Sequence, residues 1–249
     1  MGAEFYGEDF QGADVAPFVG INTFLHLPWV KNHKELLEAK PDVAIIGEPF
    51  DFGTTIRPGA RYGPRAIRAA STIPSPPFER FNIETGADPF GTFRTVDYGD
   101  VVVSPGDVIG SHKSMTLKVK EVLEADGIPV MLGGDHSITY ANVRAFQKKF
   151  KNIGMIHFDT HADCAPQGLT GFKYDHGAHI RRIMEMGCLK GKNYSLVGPR
   201  GYWPGRDLYK WMSDQDFQWF TMLDVEELGI DYIAKEIADR ANDGTDAVY

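Results

Sequence analysis

The segment DTHAD at 159–163 carries three side chains of the kind that bind metal ions. Asp159, His161 and Asp163 are spaced two residues apart. In extended backbone the residues i, i+2 and i+4 project from one face, so this spacing predicts that three potential ligands share one side of the chain. The first question is which ion they would hold and which other groups would complete its site.

A second polar segment, GGDHS at 133–137, supplies His136. Both segments follow predicted strands, and ligands of parallel α/β sheets bind beyond the carboxyl ends of strands. If the two strands are neighbours, His136 meets the DTHAD side chains. Taken alone, GGDHS also fits a glycine turn with Ser137 or Asp135 as a helix cap, and DTHAD also fits a polar loop. Their combination favours a metal site.

Imidazole and carboxylate ligands without a thiolate suit Mn, Fe, Ni or Zn. Two ions about 3.5–4 Å apart are a recurrent hydrolytic device that produces hydroxide at neutral pH. However, two aspartates and two neutral histidines supply two negative charges, whereas two divalent ions carry four positive ones. Either the site holds one metal, or further carboxylates complete it.

The elements that must position these residues alternate along the chain from Val43 onward, which is typical of βαβ units and a parallel sheet covered on both faces. We predict one α/β domain over residues 1–249. The predicted strands are at 43–47, 128–134, 153–159 and 193–198, around FQWFTM, and from DAVY at 246–249. The predicted helices start near Gly63 and Ser104 and cover 137–150, 176–187 and 230–242. Residues 72–96 are predicted to form a long surface connection.

Composition restricts the function classes. With 43% hydrophobic and 24% charged residues, the 249-residue chain is predicted to be globular. Its net charge of −8 argues against nucleic-acid and anionic-membrane binding. We find neither a secretory signal nor an apolar run long enough to cross a membrane. Two cysteines cannot form a disulfide framework, so we expect a cytoplasmic protein.

The motifs GGDHS, DTHAD and DHGAH, together with GARYGPRAIR at 59–68, VDYGD at 96–100 and GINTFLHLP at 20–28, resemble the ureohydrolases, the arginase and agmatinase family. The likeness is greatest to the agmatinase-like branch. It implies a three-layer α/β/α fold with a mainly parallel sheet, two divalent metal ions, usually Mn²⁺ and in some members Ni²⁺, and a homo-oligomer (trimer or hexamer). It also implies hydrolysis of a guanidino C–N bond through a metal-bridging hydroxide, releasing urea and an amine or ammonia.

The resemblance also implies residue roles. His136 and Asp163 look like ligands of one metal, His161 like a ligand of the other, and Asp159 like the bridge between them. Either Asp163 or His176 would deliver the proton that the departing amine needs. The alternative for His176 is a residue at the start of a helix with no chemical role.

Trp203 is a candidate substrate-binding residue, because it lies in an aromatic-rich region that offers ring faces to a cation. Ordinary packing of these aromatics is the alternative. For His157 we favour a packed core histidine over a residue that supports the metal ligands, and for Cys164 a small packed residue. His179 is unusual, because the family has a different residue after HGT and this chain reads HGAH.

Two departures from the family pattern matter. Arginases have an Asn after the DTHAD-type motif, where this chain has Cys164, Ala165 and Pro166, so arginase itself is disfavoured. Family members also continue into an SxDxD strand whose aspartates complete the metal centre, and DAVY resembles its start. We therefore expect the printed chain to lack the C-terminal part of the domain. The alternative is a non-catalytic or truncated subunit of a ureohydrolase hetero-oligomer.

Overall fold

The computed structural model describes residues 20–72 and 81–249. It confirms the predicted α/β class, since every pairing between named strands is parallel. Contacts divide the chain into two compact units. The first consists of the residues up to Asp51 together with Pro58–Asp135, and the second of Phe52–Arg57 together with His136–Tyr249. The start of the chain and part of the predicted connection at 72–96 lie outside the described residues. None of the described helices is long and apolar enough to cross a membrane.

The first unit holds a three-stranded sheet in the order β2-β1-β3. Its strands are β1 Val43–Gly47, β2 Thr95–Asp100 and β3 Ile128–Leu132, and its helices are α1 His33–Ala39, α2 Gly63–Ser71, α3 Pro89–Thr92 and α4 Val108–Glu124. Short 3-10 helices cover Phe24–His26 and Ala60–Tyr62. Buried Arg68 on α2 bonds Asp97 on β2 through Nε (2.7 Å) and Nη2 (2.9 Å), which ties the helix to the sheet.

The second unit holds a four-stranded sheet in the order β6-β5-β4-β7. Its strands are β4 Ile153–Phe158, β5 Leu189–Val197, β6 Gln218–Phe220 and β7 Ala247–Val248, and its helices are α5 Ile138–Lys149, α6 His179–Glu185, α7 Arg206–Asp214, α8 Met222–Leu228 and α9 Ile230–Asn242. A Cβ on Gly154 of β4 would lie 1.9 Å from the carbonyl oxygen of Ala241 on α9. The glycine therefore lets helix and strand approach closely, and this contact helps to fix the strand that leads to the DTHAD segment.

Three expectations about these elements are wrong. Helix α4 starts at Val108 and not near Ser104, because the carboxylate of Asp107 accepts the capping hydrogen bond from Gly110 N (2.8 Å). Strand β3 pairs with β1, while the neighbours of β4 in its sheet are β5 and β7, so the expected pairing of β3 with β4 is not found. Helix α6 begins at His179, which leaves His176 in the preceding loop.

Candidate metal centre

The DTHAD segment leaves its strand and turns, so the expected extended arrangement is wrong. Strand β4 ends at Phe158, and Asp159 N still donates to Val197 O of β5 at 3.0 Å. The next residues fold back, because His161 N donates to the Asp159 carboxylate at 2.8 Å. Asp163 adopts a left-handed backbone conformation with φ 44°, which aspartate tolerates better than most residues.

This turn still brings both aspartates to the predicted histidine. Nδ1 of His136 lies 2.9 Å from Oδ2 of Asp159 and 3.1 Å from Oδ2 of Asp163. His136 directly precedes the segment that leads into α5. Ser137 is the N-cap of that helix, but its side chain makes no capping hydrogen bond, so the alternative of Ser137 as the capping side chain gains no support. Three of the four predicted metal ligands therefore converge.

The electrostatics of this group follow from burial and charge. Burial opposes protonation of His136, but its hydrogen bonds to Asp159 and Asp163 and their negative charges outweigh that effect and raise the pKa of His136 to about 9. Burial acts to raise the pKa of Asp159, but the hydrogen bonds from His136, His157 and the backbone N–H of His161 lower it overall. In the metal-free protein an imidazolium thus lies between two carboxylates.

His161, the fourth predicted ligand, sits at the edge of this group. Its side chain is 59% exposed, and its Nδ1 lies 3.6 Å from Oδ1 of Asp159. It therefore approaches the aspartate that the resemblance marks as the bridge. Its role as a ligand stays a prediction.

Two further histidines, His157 and His179, join the cluster. His157 is buried, with Nδ1 2.7 Å from the Tyr194 hydroxyl and Nε2 3.3 Å from Oδ2 of Asp159. This agrees with the interpretation of a hydrogen-bonded core histidine and also places it against a predicted ligand. Burial lowers the pKa of His157, so its ring is neutral at physiological pH.

His179 is the site residue that sequence reasoning did not include. It is the first residue of α6 and 1% exposed, and its ring centroid lies 4.2 Å from that of His136. Burial lowers the pKa of His179 well below its usual range. His136, His157, Asp163 and His179 each offer a ligand atom, and these atoms lie within 4.8 Å of one another. The only available signal was the unusual HGAH segment.

His176 occupies the loop before α6. Its backbone N–H donates to Gly53 O at 3.1 Å, its carbonyl accepts from His179 Nδ1 at 2.8 Å, and its Nε2 lies 2.9 Å from the Thr55 hydroxyl. The interpretation of His176 as a residue at a helix start is therefore wrong, because the loop and not a helix holds it. Its proton-transfer role stays a prediction.

The aromatic region around Trp203 is largely committed to packing. The Trp211 ring lies 3.4 Å below the guanidinium of Arg181 and packs against Phe217. Trp203 itself is 46% exposed. These contacts favour ordinary packing for Trp211 and Phe217. The role of Trp203 in substrate binding stays a prediction.

Cys164 is fully buried beside Asp163. Burial raises the pKa of its thiol to about 12, so the sulfur stays protonated and is a poor metal ligand. The residues present therefore offer imidazole and carboxylate donors within a small volume, a donor set that fits a divalent ion of the Mn, Fe, Ni or Zn type.

Comparison with known proteins shows the family of this chain. The arginase family model matches residues 41–249. This chain belongs to the arginase family. It is 31% identical over 233 residues to a guanidinobutyrase from Pseudomonas aeruginosa, covering 94% of this chain and 71% of the relative. It is 37% identical over 204 residues to a mitochondrial agmatinase from Gallus gallus, covering 82% of this chain and 57% of the relative.

The fold comparison confirms the arginase-like architecture. The solved proclavaminate amidinohydrolase from Streptomyces clavuligerus superposes with a TM-score of 0.81 at 28% sequence identity, covering 94% of this chain and 74% of that one. This chain thus spans between about half and three quarters of the length of these arginase-family relatives.

Proposed function

We propose that the protein hydrolyses a guanidino C–N bond and releases urea together with an amine or ammonia. The observation that carries this proposal is the convergence of Asp159 and Asp163 on His136. Membership of the arginase family supports it, and so do relatives named guanidinobutyrase and agmatinase. The proposed substrate is a small cationic guanidino compound of the agmatine, guanidinobutyrate or guanidine kind.

Two divalent ions, Mn²⁺ or Ni²⁺, are the proposed cofactors. In this proposal His136 and Asp163 hold one ion, His161 holds the other, and Asp159 lies between them. When bound, such ions lower the pKa of water enough to supply a nucleophile at neutral pH. A guanidinium does not lose its proton under ordinary conditions, and water alone is too weak to attack it, so this chemistry needs such help.

The other residues bind the substrate and move protons. Two proposed donors could supply the proton that the departing amine takes: Asp163, once its carboxylate has taken up a proton from the attacking water, or the protonated imidazole of His176. His176 suits this role because its backbone N–H and its carbonyl are both hydrogen-bonded, which holds the residue in place. Among the described residues, the hydrogen bonds found at its Nε2 involve the hydroxyl and the N–H of Thr55, and the hydroxyl can rotate. The exposed ring of Trp203 is proposed to face the cationic substrate.

The proposal also covers the charge, the location and the oligomeric state of the protein. A net charge of −8 suits a cationic substrate and not a nucleic acid. We further propose a cytoplasmic homo-oligomer, a trimer or hexamer. Mass photometry of the purified full-length protein measures the oligomer size directly.

Urea release tests the reaction. The full-length protein from the gene is loaded with Mn²⁺ or with Ni²⁺ and incubated with agmatine, 4-guanidinobutyrate, arginine and guanidine. We expect urea from at least one non-arginine compound, and we expect Asp159→Asn to lower the rate by at least about a hundredfold because it removes a charge between the two ions. No urea from any compound with either metal would refute the proposal and favour a non-catalytic subunit.

A further inference from the structure

The side chains of Thr55 and Asp175 meet beside the imidazole of His176, and the proposed function assigns neither of them a chemical role. The Thr55 hydroxyl oxygen lies 2.9 Å from Nε2 of His176 and 3.3 Å from Oδ2 of Asp175. Thr55 belongs to the loop after β1, and the other two residues belong to the loop before α6, both within the second unit. An imidazole, a hydroxyl and a carboxylate therefore form one hydrogen-bonded chain.

Local contacts hold the Asp175 carboxylate in place. The residue is 8% exposed, and its Oδ1 accepts a hydrogen bond from Gly177 N at 2.8 Å. A Cβ on Gly168 would lie 2.3 Å from Cγ of Asp175, so the carboxylate packs against a position that has no room for a side chain. One carboxylate oxygen thus shapes the loop, and the other faces Thr55.

The donors and acceptors of these groups determine the direction of the chain. An ionised carboxylate only accepts hydrogen bonds, and a hydroxyl has a single hydrogen to donate. If that hydrogen goes to Asp175, the Thr55 oxygen has only lone pairs left, so Nε2 of His176 carries a hydrogen and donates it. Hydrogen bonds to an ionised group are roughly twice as strong as those between neutral groups, which favours this direction.

The backbone N–H of Thr55 opposes this direction. It lies 3.4 Å from Nε2 of His176 and can only donate, so it favours a lone pair on that nitrogen. Its length exceeds the usual range of about 2.7–3.2 Å, within which the 2.9 Å contact between Nε2 and the hydroxyl falls. The 3.3 Å contact of the hydroxyl with Asp175 is also long, but catalytic hydrogen bonds often tighten only when the substrate is bound.

We propose that Thr55 and Asp175 are positioning residues that act through His176. They hold its ring with Nε2–H directed at Thr55, and the carboxylate of Asp175 stabilises the protonated ring through the polarised hydroxyl. No hydrogen bond to Nδ1 of His176 is found among the described residues, so this nitrogen is left to exchange a proton.

The proton transfer balances on these atoms. As the guanidino C–N bond breaks, the departing nitrogen takes the bonding pair and the proton of Nδ1–H. The ring of His176 becomes neutral and keeps its Nε2–H, and Nδ1 later regains a proton from solvent. This inference rests on the proposed function and selects His176, and not Asp163, as the proton donor.

Isosteric substitutions of Thr55 in the full-length, metal-loaded protein test the inference. Urea release is measured with the guanidino compound that wild type hydrolyses fastest. Thr55→Val removes the hydroxyl, and we expect it to lower kcat by at least about tenfold while KM changes by less than about threefold. Thr55→Ser restores the hydroxyl and should recover most of the rate. The matched control is Thr245→Val, whose hydroxyl donates to Ala241 O at 2.8 Å in the same unit, and its kcat should equal that of wild type.

Asp175→Asn separates the charge of the carboxylate from its shape. The amide oxygen can still accept from Gly177 N, so the loop keeps its turn, whereas the amide nitrogen donates to the Thr55 oxygen and turns the hydroxyl toward Nε2 of His176. We expect kcat to fall by at least about tenfold, and far-UV circular dichroism checks that the variant is folded. If Asp175 only shaped the loop, kcat would equal that of wild type, and the inference would be refuted.

A double variant shows whether Thr55 acts through His176. Residues that act as a unit are not additive, so Thr55→Val added to His176→Phe should lower kcat by less than about twofold further. A further loss as large as in Thr55→Val alone would overturn the inference. Wild-type kcat in Thr55→Val would overturn this inference and leave the proposed function intact. No urea from wild type with any guanidino compound would instead remove the proposed function, and this inference with it.

Discussion

Metal binding to this protein should depend steeply on pH, because a proton occupies His136 before the ion arrives. The pKa of His136 is raised to about 9 from an ordinary value of 6.5, and only the neutral imidazole binds a metal. The unprotonated fraction is then about 1 in 100 at pH 7 and about 1 in 2 at pH 9. The apparent metal affinity should therefore rise about fiftyfold over this interval, whereas an ordinary histidine would give a rise of about 1.3-fold.

Competition between the metal-free protein and a fluorescent chelator, read at half-unit steps from pH 6.5 to 9.5, measures this change. Calorimetry in buffers of different ionisation enthalpy should show about one proton released per ion at pH 7.5. Asp159→Asn removes one of the carboxylates that raise the His136 pKa, so its binding should be weaker overall but less dependent on pH. A wild-type rise of less than twofold between pH 7 and 9 would refute the placement of His136 between the two carboxylates.

Two predictions concern stability and are checked by urea unfolding of the metal-free protein. Gly154→Ala should lower the free energy of unfolding by about 1–3 kcal/mol, because its Cβ would overlap a carbonyl oxygen of α9. Gly205→Ala, where a Cβ meets open space but the glycine is the N-cap of α7, should cost at most about 1 kcal/mol, and a larger or equal cost at Gly205 would contradict the close contact at Gly154. Arg68→Met should cost about 3–5 kcal/mol, since it leaves the buried carboxylate of Asp97 unpaired. Arg94→Met, which breaks an exposed pair, should cost at most about 1 kcal/mol.

Local patterns predicted those elements whose ends are marked by strong sequence signals. The predicted helix at 230–242 matches α9, and VAIIG matches β1. The helix predicted near Gly63 matches α2, whose first turn contains Pro64, a residue that fits this position. Helix α4 was placed too early because its N-cap is Asp107, three residues after Ser104.

Local sequence patterns did not predict the order of the strands within each sheet. The order β6-β5-β4-β7 places the last strand beside β4, and this pairing cannot be predicted from the residues near DTHAD. The convergence of His136, Asp159 and Asp163 was nevertheless predicted, because these residues belong to motifs that follow strands. His179 was missed because its burial depends on where α6 begins, and no capping side chain marks that start.

Charge balance links the proton on His136 with the number of ions that the described cluster holds. Without metal, one imidazolium lies between two carboxylates, so the group carries one net negative charge. Exchange of that proton for one divalent ion makes the group neutral, whereas a second divalent ion would leave two positive charges in a largely buried volume. Unbalanced buried charge is costly. We therefore infer that the first ion binds to this cluster more tightly than a second, and that a second ion requires carboxylates beyond Asp159 and Asp163.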